Sequence, residues 1–355
     1  MTTSFAIAGR PVGPEHPPYV IAEMSGNHNG DIRRAFELLA AAKAAGADAV
    51  KLQTYTADTI TIDHDSADFR IDGGLWAGKT LYALYQEAHT PWAWHRELFA
   101  RAHELDLTIF SSPFDETAVD FLEELKVPAY KIASFEAVDL PLIRRVAATG
   151  KPLIISTGMA SLEEIHEAVD AARSAGARDL VLLHCVSGYP TPAGEANLRT
   201  LSELAARFDA VVGLSDHTTG TAVSIAAVAL GASVIEKHFT LRRADGGPDA
   251  AFSLEPEELA DLVSGCRTAW DALGKAGFER KPSEEANIQF RRSLYVVKNI
   301  EAGELFTRLN VRSIRPGFGL PPKLLPQVLG RRAAKALHRG QALALDHLSS
   351  EDNQP

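Results

Sequence analysis

From about residue 19 to 275 the chain repeats one theme eight times: a short apolar run, then an amphipathic stretch of helical period. The runs are YVIAEM (19–24), AVKLQT (49–54), TIFSSP (108–113), AYKIAS (129–134), PLIIST (152–157), LVLLHC (180–185), VVGLSD (211–216) and VIEKHF (234–239). Segments between them, such as DIRRAFELLAAAKAAG, DETAVDFLEEL, SLEEIHEAVDAARSAG and TAVSIAAVALG, read as helices. Several end in glycine, as helix C-termini often do. Ser161 with Glu164 forms a capping box, and Asp115 is an N-cap for the helix after the third run. Near-continuous apolar strands alternating with helices predict a parallel sheet covered on both faces. Eight such units predict an α/β chain closed into a (β/α)8 TIM barrel. An open doubly wound sheet is the alternative, but no G-x-G-x-x-G follows the first strand to support its dinucleotide-binding form.

Residues 55–107 make one interval too long for a simple connection. PWAWHRELFARAHEL (91–105) reads as that unit's helix, and the rest as an inserted loop. An insertion after a strand lies over a barrel's active face, so a substrate lid is expected here. The theme then stops. KAGFERKPSEEANIQ (275–289) is charged, carries a proline and reads as a linker. The expected organisation is a catalytic barrel over 1–275, a linker over 276–289 and a small β-rich domain over 290–355. Alternation in SLYVVKNI and the E-A-G-E turn carry that last assignment.

The 355 residues are 46% hydrophobic and 23% charged, with a formal charge of −10 and both signs interspersed. This is the composition of a soluble globular protein. It argues against nucleic acid as a partner, while leaving room for a local basic pocket for a small anion. No apolar run reaches the roughly 18 residues of a membrane span, and no signal-peptide pattern opens the chain. Cys185 ends an apolar run, and Cys266 shares a helix face with Leu259, Leu262, Val263, Trp270 and Leu273. Both read as buried thiols, and a reducing cytoplasm is the expected compartment.

The strand ends concentrate polar groups. In order they carry Glu23; Lys51 and Gln53; Ser111 and Ser112; Lys131, Ser134 and Glu136; Ser156 and Thr157; His184 to Ser187; Ser215 and His217; Glu236 and His238. A barrel gathers its strand C-termini in one ring. Two lysines, several hydroxyls and helix-start amides in such a ring suit an anionic substrate. Taken singly, each has a plainer reading: a lysine paired to a structural carboxylate, a serine capping a helix. His217 and His238 end consecutive strands, which lie about 4.8 Å apart. Two imidazoles can share one transition-metal ion there, though two hydrogen-bonding core histidines are the alternative. Without a third His or a Cys, a labile Mn2+-like ion fits better than a dedicated zinc site. Asp216 reads as an orienter or a helix cap. Ser215, Asp216 and His217 cannot form a hydrolytic triad, because adjacent strand residues point to opposite faces.

The chain resembles the sialic acid synthase family, and most closely its pseudaminic acid synthase branch. The resemblance rests on AEMSGNHNG (22–30), VKLQTY (50–55), GKTLYALYQEAHTPWAW (78–94), FSSPFD (110–115), PAYKIASFE (128–136), ISTGM (155–159), CVSGYPTP (185–192), GLSDHT (213–218), ALGASVIEKHFTL (229–241), RRSLYVV (291–297) and SIRPGFGL (313–320). It implies a TIM barrel followed by an antifreeze-like (SAF) domain, in a domain-swapped homodimer whose small domains cover the partner's barrel mouth. It implies condensation of phosphoenolpyruvate with an amino-sugar aldehyde, with release of phosphate. By the family pattern Lys51, Ser112, Lys131, Ser134, Ser156 and Ser215 hold phosphoenolpyruvate, and His217 and His238 are the metal ligands. The expected metal is Mn2+, with Mg2+ or Co2+ as alternatives. Glu23 matches a carboxylate near the metal and the sugar's reacting end, and Glu136 the base for the attacking water. Gln53 joins the substrate-binding set. Tyr189 matches a pocket wall, Asp249 a carboxylate that holds sugar, and Arg315 the arginine offered to the neighbouring site. Ser187 stands where sialic acid synthases commonly carry Asn, a substitution usual in the pseudaminic branch. The implied sugar is 2,4-diacetamido-2,4,6-trideoxy-L-altrose; the alternatives are the same chemistry on the N-acetylneuraminic or legionaminic acid precursor, a metal-dependent aldolase using free pyruvate, and a carbohydrate- or ice-binding protein without turnover.

Overall fold

The computed structural model describes residues 4–350, and the contacts divide the chain into two compact units between Gly274 and Lys275. In the first unit a short hairpin, β1 (Phe5–Ile7) and β2 (Arg10–Val12), comes first. Among the described residues eight parallel strands then close a barrel. They are β3 (Tyr19–Glu23), β4 (Ala49–Thr54), β5 (Thr108–Pro113), β6 (Tyr130–Ile132), β7 (Leu153–Ser156), β8 (Leu180–Cys185), β9 (Val211–Asp216) and β10 (Val234–His238). Neighbours in sequence pair throughout, and β10 closes onto β3. The expected TIM barrel is the fold of this unit.

In chain order the helices of this unit are α1 (Ile32–Ala44), α2 (Ala57–Ile60), α3 (Leu81–Ala88), α4 (Trp92–Glu104), α5 (Glu116–Glu124), α6 (Leu140–Ala147), α7 (Leu162–Ser174), α8 (Thr200–Phe208), α9 (Ala222–Ala229) and α10 (Pro256–Leu273). Their starts follow from local chemistry. Asp115 accepts hydrogen bonds from the Thr117 and Ala118 amides, and Ser161 with Glu164 closes the capping box before α7. Cys266 is buried on α10 with Leu259 and Leu262, whereas Leu273 at the helix end is half exposed. Among the described residues no helix is long and apolar enough to cross a membrane.

Strand side chains alternate between two apolar clusters, as a period of two requires. Val20, Val50, Leu52, Ile155, Leu182 and Leu214 pack outward with the helices. Tyr19, Ile21, Phe110, Ile154, Leu183 and Val234 pack inside, together with Ile7 and Val12 of the hairpin. The hairpin therefore packs with the barrel's interior cluster at its strand-start residues. It carried no periodic signal in the sequence because each strand has only three residues. Its turn places Ala8 (φ 49°) and Gly9 (φ 81°) at positive φ, the backbone of a two-residue hairpin turn.

The interval after β4 is more than a loop. It contains α2, α3 and short 3-10 turns at Ala67–Phe69 and Gly74–Trp76. Thr80 caps α3 by accepting from the Ala83 amide, and Leu84 anchors that helix by burial. The Ile71 amide donates to Lys79 O (3.0 Å) and the Gly78 amide to Ile71 O (2.9 Å), which pins the base of the 72–77 loop.

The second unit holds the antiparallel pair β11 (Ser293–Val296) and β12 (Val311–Ile314) over a core of Leu294, Val296, Ile300, Phe306 and Val311. Residues 282–290, which overlap the stretch expected to be a linker (276–289), wind into 3-10 turns.

Gly213 on β9 shows how tightly the barrel interior is filled. A Cβ there would collide with the Val234 carbonyl and lie 2.7 Å from Leu183 Cδ2 and 2.8 Å from Val234 Cβ. Gly213→Ala is expected to destabilise the barrel by about 2 kcal/mol or more, read as a lowered urea midpoint. An unchanged midpoint would show that the strand can shift at no cost.

Candidate active site

The inward positions are apolar near the strand starts and polar near the strand ends. Register sets the neighbours: Glu23 lies opposite Lys51 on β4 and His238 on β10, and Glu236 lies opposite Ser215 on β9. Glu236 Oε1 accepts from Lys131 Nζ and from Ser215 Oγ, both at 3.1 Å. Lys51 Nζ is 3.7 Å from the same oxygen, 2.9 Å from Glu23 Oε2, and donates to Ser112 Oγ at 3.3 Å. Gln53 Nε2 donates to Glu23 Oε1 (2.8 Å) and Ser25 Oγ (3.0 Å).

Both lysines and both glutamates are almost fully buried. Burial opposes the charge on Glu236, but Lys131 and Lys51 overcome it and hold its pKa near about 2. It is the ionised carboxylate the two ammonium groups share. Burial pushes Glu23 up, and the Glu236 charge adds to this against the pull of Lys51. Burial also acts against the Lys51 ammonium, yet Glu23 and Glu236 lift its pKa. Lys131 has less compensation, so burial lowers it. The two lysines thus share Glu236, the firmly ionised carboxylate, and Lys51 also pairs with Glu23.

Several buried polar atoms here lack a hydrogen-bond partner within the protein: Ser156 Oγ, Glu136 Oε2, Glu236 Oε2 and His238 Nδ1. Each orphan costs about 1–3 kcal/mol, so a group of them at the strand ends marks a place built for a ligand. Glu136 sits on a 3-10 turn after β6. Burial raises its pKa to about 7, against the pull of Lys131 and Lys51. Beside it, Ser134 Oγ accepts from the Gly158 amide at 3.2 Å. A Cβ on Gly158 would collide with Ser187 Oγ and lie 2.7 Å from Ser134 Oγ, so those two hydroxyls converge on a residue without a side chain.

His217 and His238 stand with ring centroids 5.3 Å apart. His217 Nδ1 lies 3.0 Å from the Val186 carbonyl, an acceptor, so Nδ1 carries a proton; burial opposes charge on the ring, but Cys185 and this carbonyl outweigh it and raise its pKa. Burial, then the charges of His217 and the lysines, hold His238 well below its ordinary pKa and therefore neutral, the state a ligating imidazole needs. Its unpartnered Nδ1 is 3.8 Å from Asp249 Oδ2. Among the described residues no group of three or more His, Cys, Asp or Glu side chains is arranged to hold a metal. The pair fits an ion that completes its shell with water and substrate.

Tyr189 packs on His217 (4.5 Å between centroids), His238 (6.5 Å) and Phe252 (5.3 Å). Asp249 is buried close by, its carboxylate hydrogen-bonded by Ser25 and the Gly26 amide. Thus the barrel brings together Glu23, Lys51, Gln53, Ser112, Lys131, Ser134, Glu136, Ser156, Ser187, Tyr189, Ser215, His217, His238 and Asp249. Arg315 belongs to the second unit, where it is exposed just beyond β12.

Family models match two stretches: the NeuB family over residues 38–277 and the SAF domain over residues 291–349. The chain belongs to the NeuB family. A pseudaminic acid synthase from Helicobacter pylori is 44% identical over 333 residues, 94% of this NeuB chain and 98% of that protein. An N,N'-diacetyllegionaminic acid synthase from Legionella pneumophila is 37% identical over 349 residues, covering 96% and 97%. The crystal structure of an N-acetylneuraminic acid synthetase from Leptospira borgpetersenii, in complex with citrate, superposes with a TM-score of 0.73 at 31% identity, covering 82% of this chain and 97% of that one.

Sequence reasoning left three contributors to this NeuB site unassigned. Glu236 was visible as a strand-end residue, and its spacing of two from His238 puts both on the inner face. Cys185 was read only as a buried thiol, but its Sγ lies 3.8 Å from His217 Nδ1 and 4.0 Å from Ser187 Oγ. Ser25 follows the first strand and had no local signal. Other strand-end residues face away. Ser111 bonds Thr54 on the helix side at 2.6 Å, and His184 Nε2 donates to Ala196 O at 2.7 Å.

Asp216 also faces outward, yet it braces His217. Its carboxylate accepts from the Thr218 amide (2.8 Å), Ser224 Oγ (2.6 Å) and Lys237 Nζ (2.8 Å), and Lys237 also donates to Thr218 O. Both partners of the ion pair are essentially inaccessible to solvent. Lys237→Met would leave a buried carboxylate unpaired, at an expected cost of about 3–5 kcal/mol in urea denaturation. A cost below about 1 kcal/mol would mean that Ser224 and the Thr218 amide suffice to hold Asp216.

Proposed function

We propose that this chain condenses phosphoenolpyruvate with 2,4-diacetamido-2,4,6-trideoxy-L-altrose and water, giving pseudaminic acid and inorganic phosphate. The higher identity to the Helicobacter enzyme than to the legionaminic acid synthase carries the choice of sugar. The two buried lysines at the strand ends, beside the unpartnered Ser156 hydroxyl, support phosphoenolpyruvate, whose carboxylate and phosphate such groups bind.

Lys51 and Lys131 act as charge clamps, with Ser112, Ser134, Ser156, Ser187 and Ser215 as hydroxyl donors to the phosphate and carboxylate. They are not Schiff-base lysines, because phosphoenolpyruvate offers no free ketone. Glu23 and Gln53 face the aldehyde end of the sugar, and Asp249 and Tyr189 hold its hydroxyls and flank. A divalent ion on His217 and His238, Mn2+ with Mg2+ or Co2+ as alternatives, would supply Lewis acidity at the aldehyde oxygen. C3 of phosphoenolpyruvate bonds to the aldehyde carbon, the aldehyde oxygen takes a proton, and C2 becomes electron-deficient. Water adds at C2 as Glu136 takes its proton. The tetrahedral carbon then forms its C=O as its hydroxyl gives up a proton and the bond from C2 to the bridging oxygen breaks, and phosphate leaves with that oxygen and the proton.

The same reading makes the enzyme a cytoplasmic homodimer, in which Arg315 of each small domain serves the partner's barrel. Exposed Phe135, Val138 and Met159, on the loops after β6 and β7 beside Glu136, support a surface that an assembly covers.

Phosphate release is the deciding assay, run with phosphoenolpyruvate, Mn2+ and the altrose, legionaminic and N-acetylmannosamine precursors. We expect turnover fastest with the altrose sugar, loss of turnover on chelation, and solvent 18O in the keto acid but absent from phosphate. Preference for another sugar would overturn the branch, and label in phosphate would overturn the route. The Glu136 pKa gives a second test. The base must be ionised, so kcat/KM is expected to fall about tenfold per pH unit below about 7. Glu136→Gln should be nearly inactive; a variant retaining wild-type rates would remove Glu136 from the chemistry.

A further inference from the structure

The loop inserted after β4 ends its tip in Trp76, and this residue makes two contacts that join the parts of the site expected to hold sugar. Its ring lies 5.7 Å from Tyr189 between centroids, inclined at 52°. Its indole N–H donates to the Pro248 carbonyl at 2.9 Å, one residue before Asp249. Pro248 in turn packs over Gly26, whose amide bonds Asp249; a Cβ on Gly26 would lie 3.0 Å from Pro248 Cγ. The indole is thus tethered at its nitrogen and packs at a tilt against Tyr189. The hydrogen bonds between Ile71 and the 78–79 segment close the loop on itself, so Trp76 is carried by a pinned turn.

The aromatic rings form a contiguous row of tilted and edge-on contacts. His217 and His238 touch each other and touch Tyr189; Tyr189 touches Trp76. The aldehyde carbon belongs at the histidines, so the far carbons of an extended sugar run outward past Tyr189 toward Trp76. In a 2,4-diacetamido-2,4,6-trideoxy sugar the C6 methyl and the C4 acetamido methyl lie toward that far end, while the C2 acetamido group stays beside the aldehyde. Fixed aromatic faces favour such apolar edges, and they cost little conformational entropy on binding.

We propose that Trp76 is a specificity-determining wall for the distal, methyl-bearing half of the sugar aldehyde, and that the insertion exists to place it. This rests on the synthase reading above for the orientation of the sugar.

The test is two-substrate steady-state kinetics on the full chain with Trp76→Ala and Trp76→Phe, after the wild type has been assayed with the three sugars. Whichever sugar the wild type prefers is then used, so a wrong branch assignment shows in the wild type and leaves the Trp76 question intact. Trp76→Ala should raise KM for that sugar about tenfold while KM for phosphoenolpyruvate stays within about twofold. Trp76→Phe, which keeps an aromatic face but loses the N–H, should recover most of the affinity. If the altrose sugar is preferred, Trp76→Ala should also narrow its advantage over N-acetylmannosamine, which bears a hydroxymethyl group at the far end. An unchanged sugar KM, an equal rise in both KM values, or a phenylalanine variant as impaired as the alanine variant would overturn the proposal.

Discussion

A closed barrel sends every second strand side chain into a space shared with seven other strands and sealed from water. That constraint organises the whole catalytic unit. At the strand starts the inward residues are apolar and pack with the terminal hairpin. At the strand ends they are ionic, and they must satisfy one another or a ligand. Glu236, held ionised between Lys131 and Lys51, and Glu23, paired with Lys51, make two buried lysines tolerable. Residues on the opposite face of the same strands do different work: Asp216 and Lys237 form a second buried pair behind β9 and β10, tied to the loop that carries His217.

This separation explains the division of labour in the site. The strands fix the charged groups, because hydrogen-bonded register leaves them little freedom. The loops supply the shape: Ser134, Glu136, Gly158, Ser187 and Tyr189 all follow strand ends, and Asp249 lies on the long connection after β10. The charged groups thus sit on the rigid frame, and the residues that shape the pocket's outer wall sit on its loops. Trp76, on an insertion closed by its own hydrogen bonds, lies at the outer edge of that second group.

The fold was legible because two periods alternate along the chain and because helix starts carry their own caps. The predicted strands at 19–24, 49–54, 108–113 and 180–185 match the observed ones to within a residue. The hairpin at 5–12 escaped, since three-residue strands cannot display a period. Helix α3 escaped too, because the Thr80 cap and a single buried leucine make a weak signal within a polar stretch. In the site, the residues named from strand ends and family motifs do converge, but their individual contacts were not readable. Glu236 and Cys185 both lie on predicted strands, but neither reveals its partners along the chain.

The sequence by itself determined the alternation of strands and helices, the closure into a barrel, the family and the inner face on which Lys51, Lys131, Ser215 and the histidines lie. These are local or periodic properties, and each is written in consecutive residues. The tertiary structure decided which charges neutralise one another, which buried atoms are left for a ligand, and what the insertion touches. Those depend on distances between residues that are tens to hundreds of positions apart, such as Lys131 and Glu236 or Trp76 and Pro248. No local pattern encodes such a distance; only the closed register of the barrel and the packing of its loops set it.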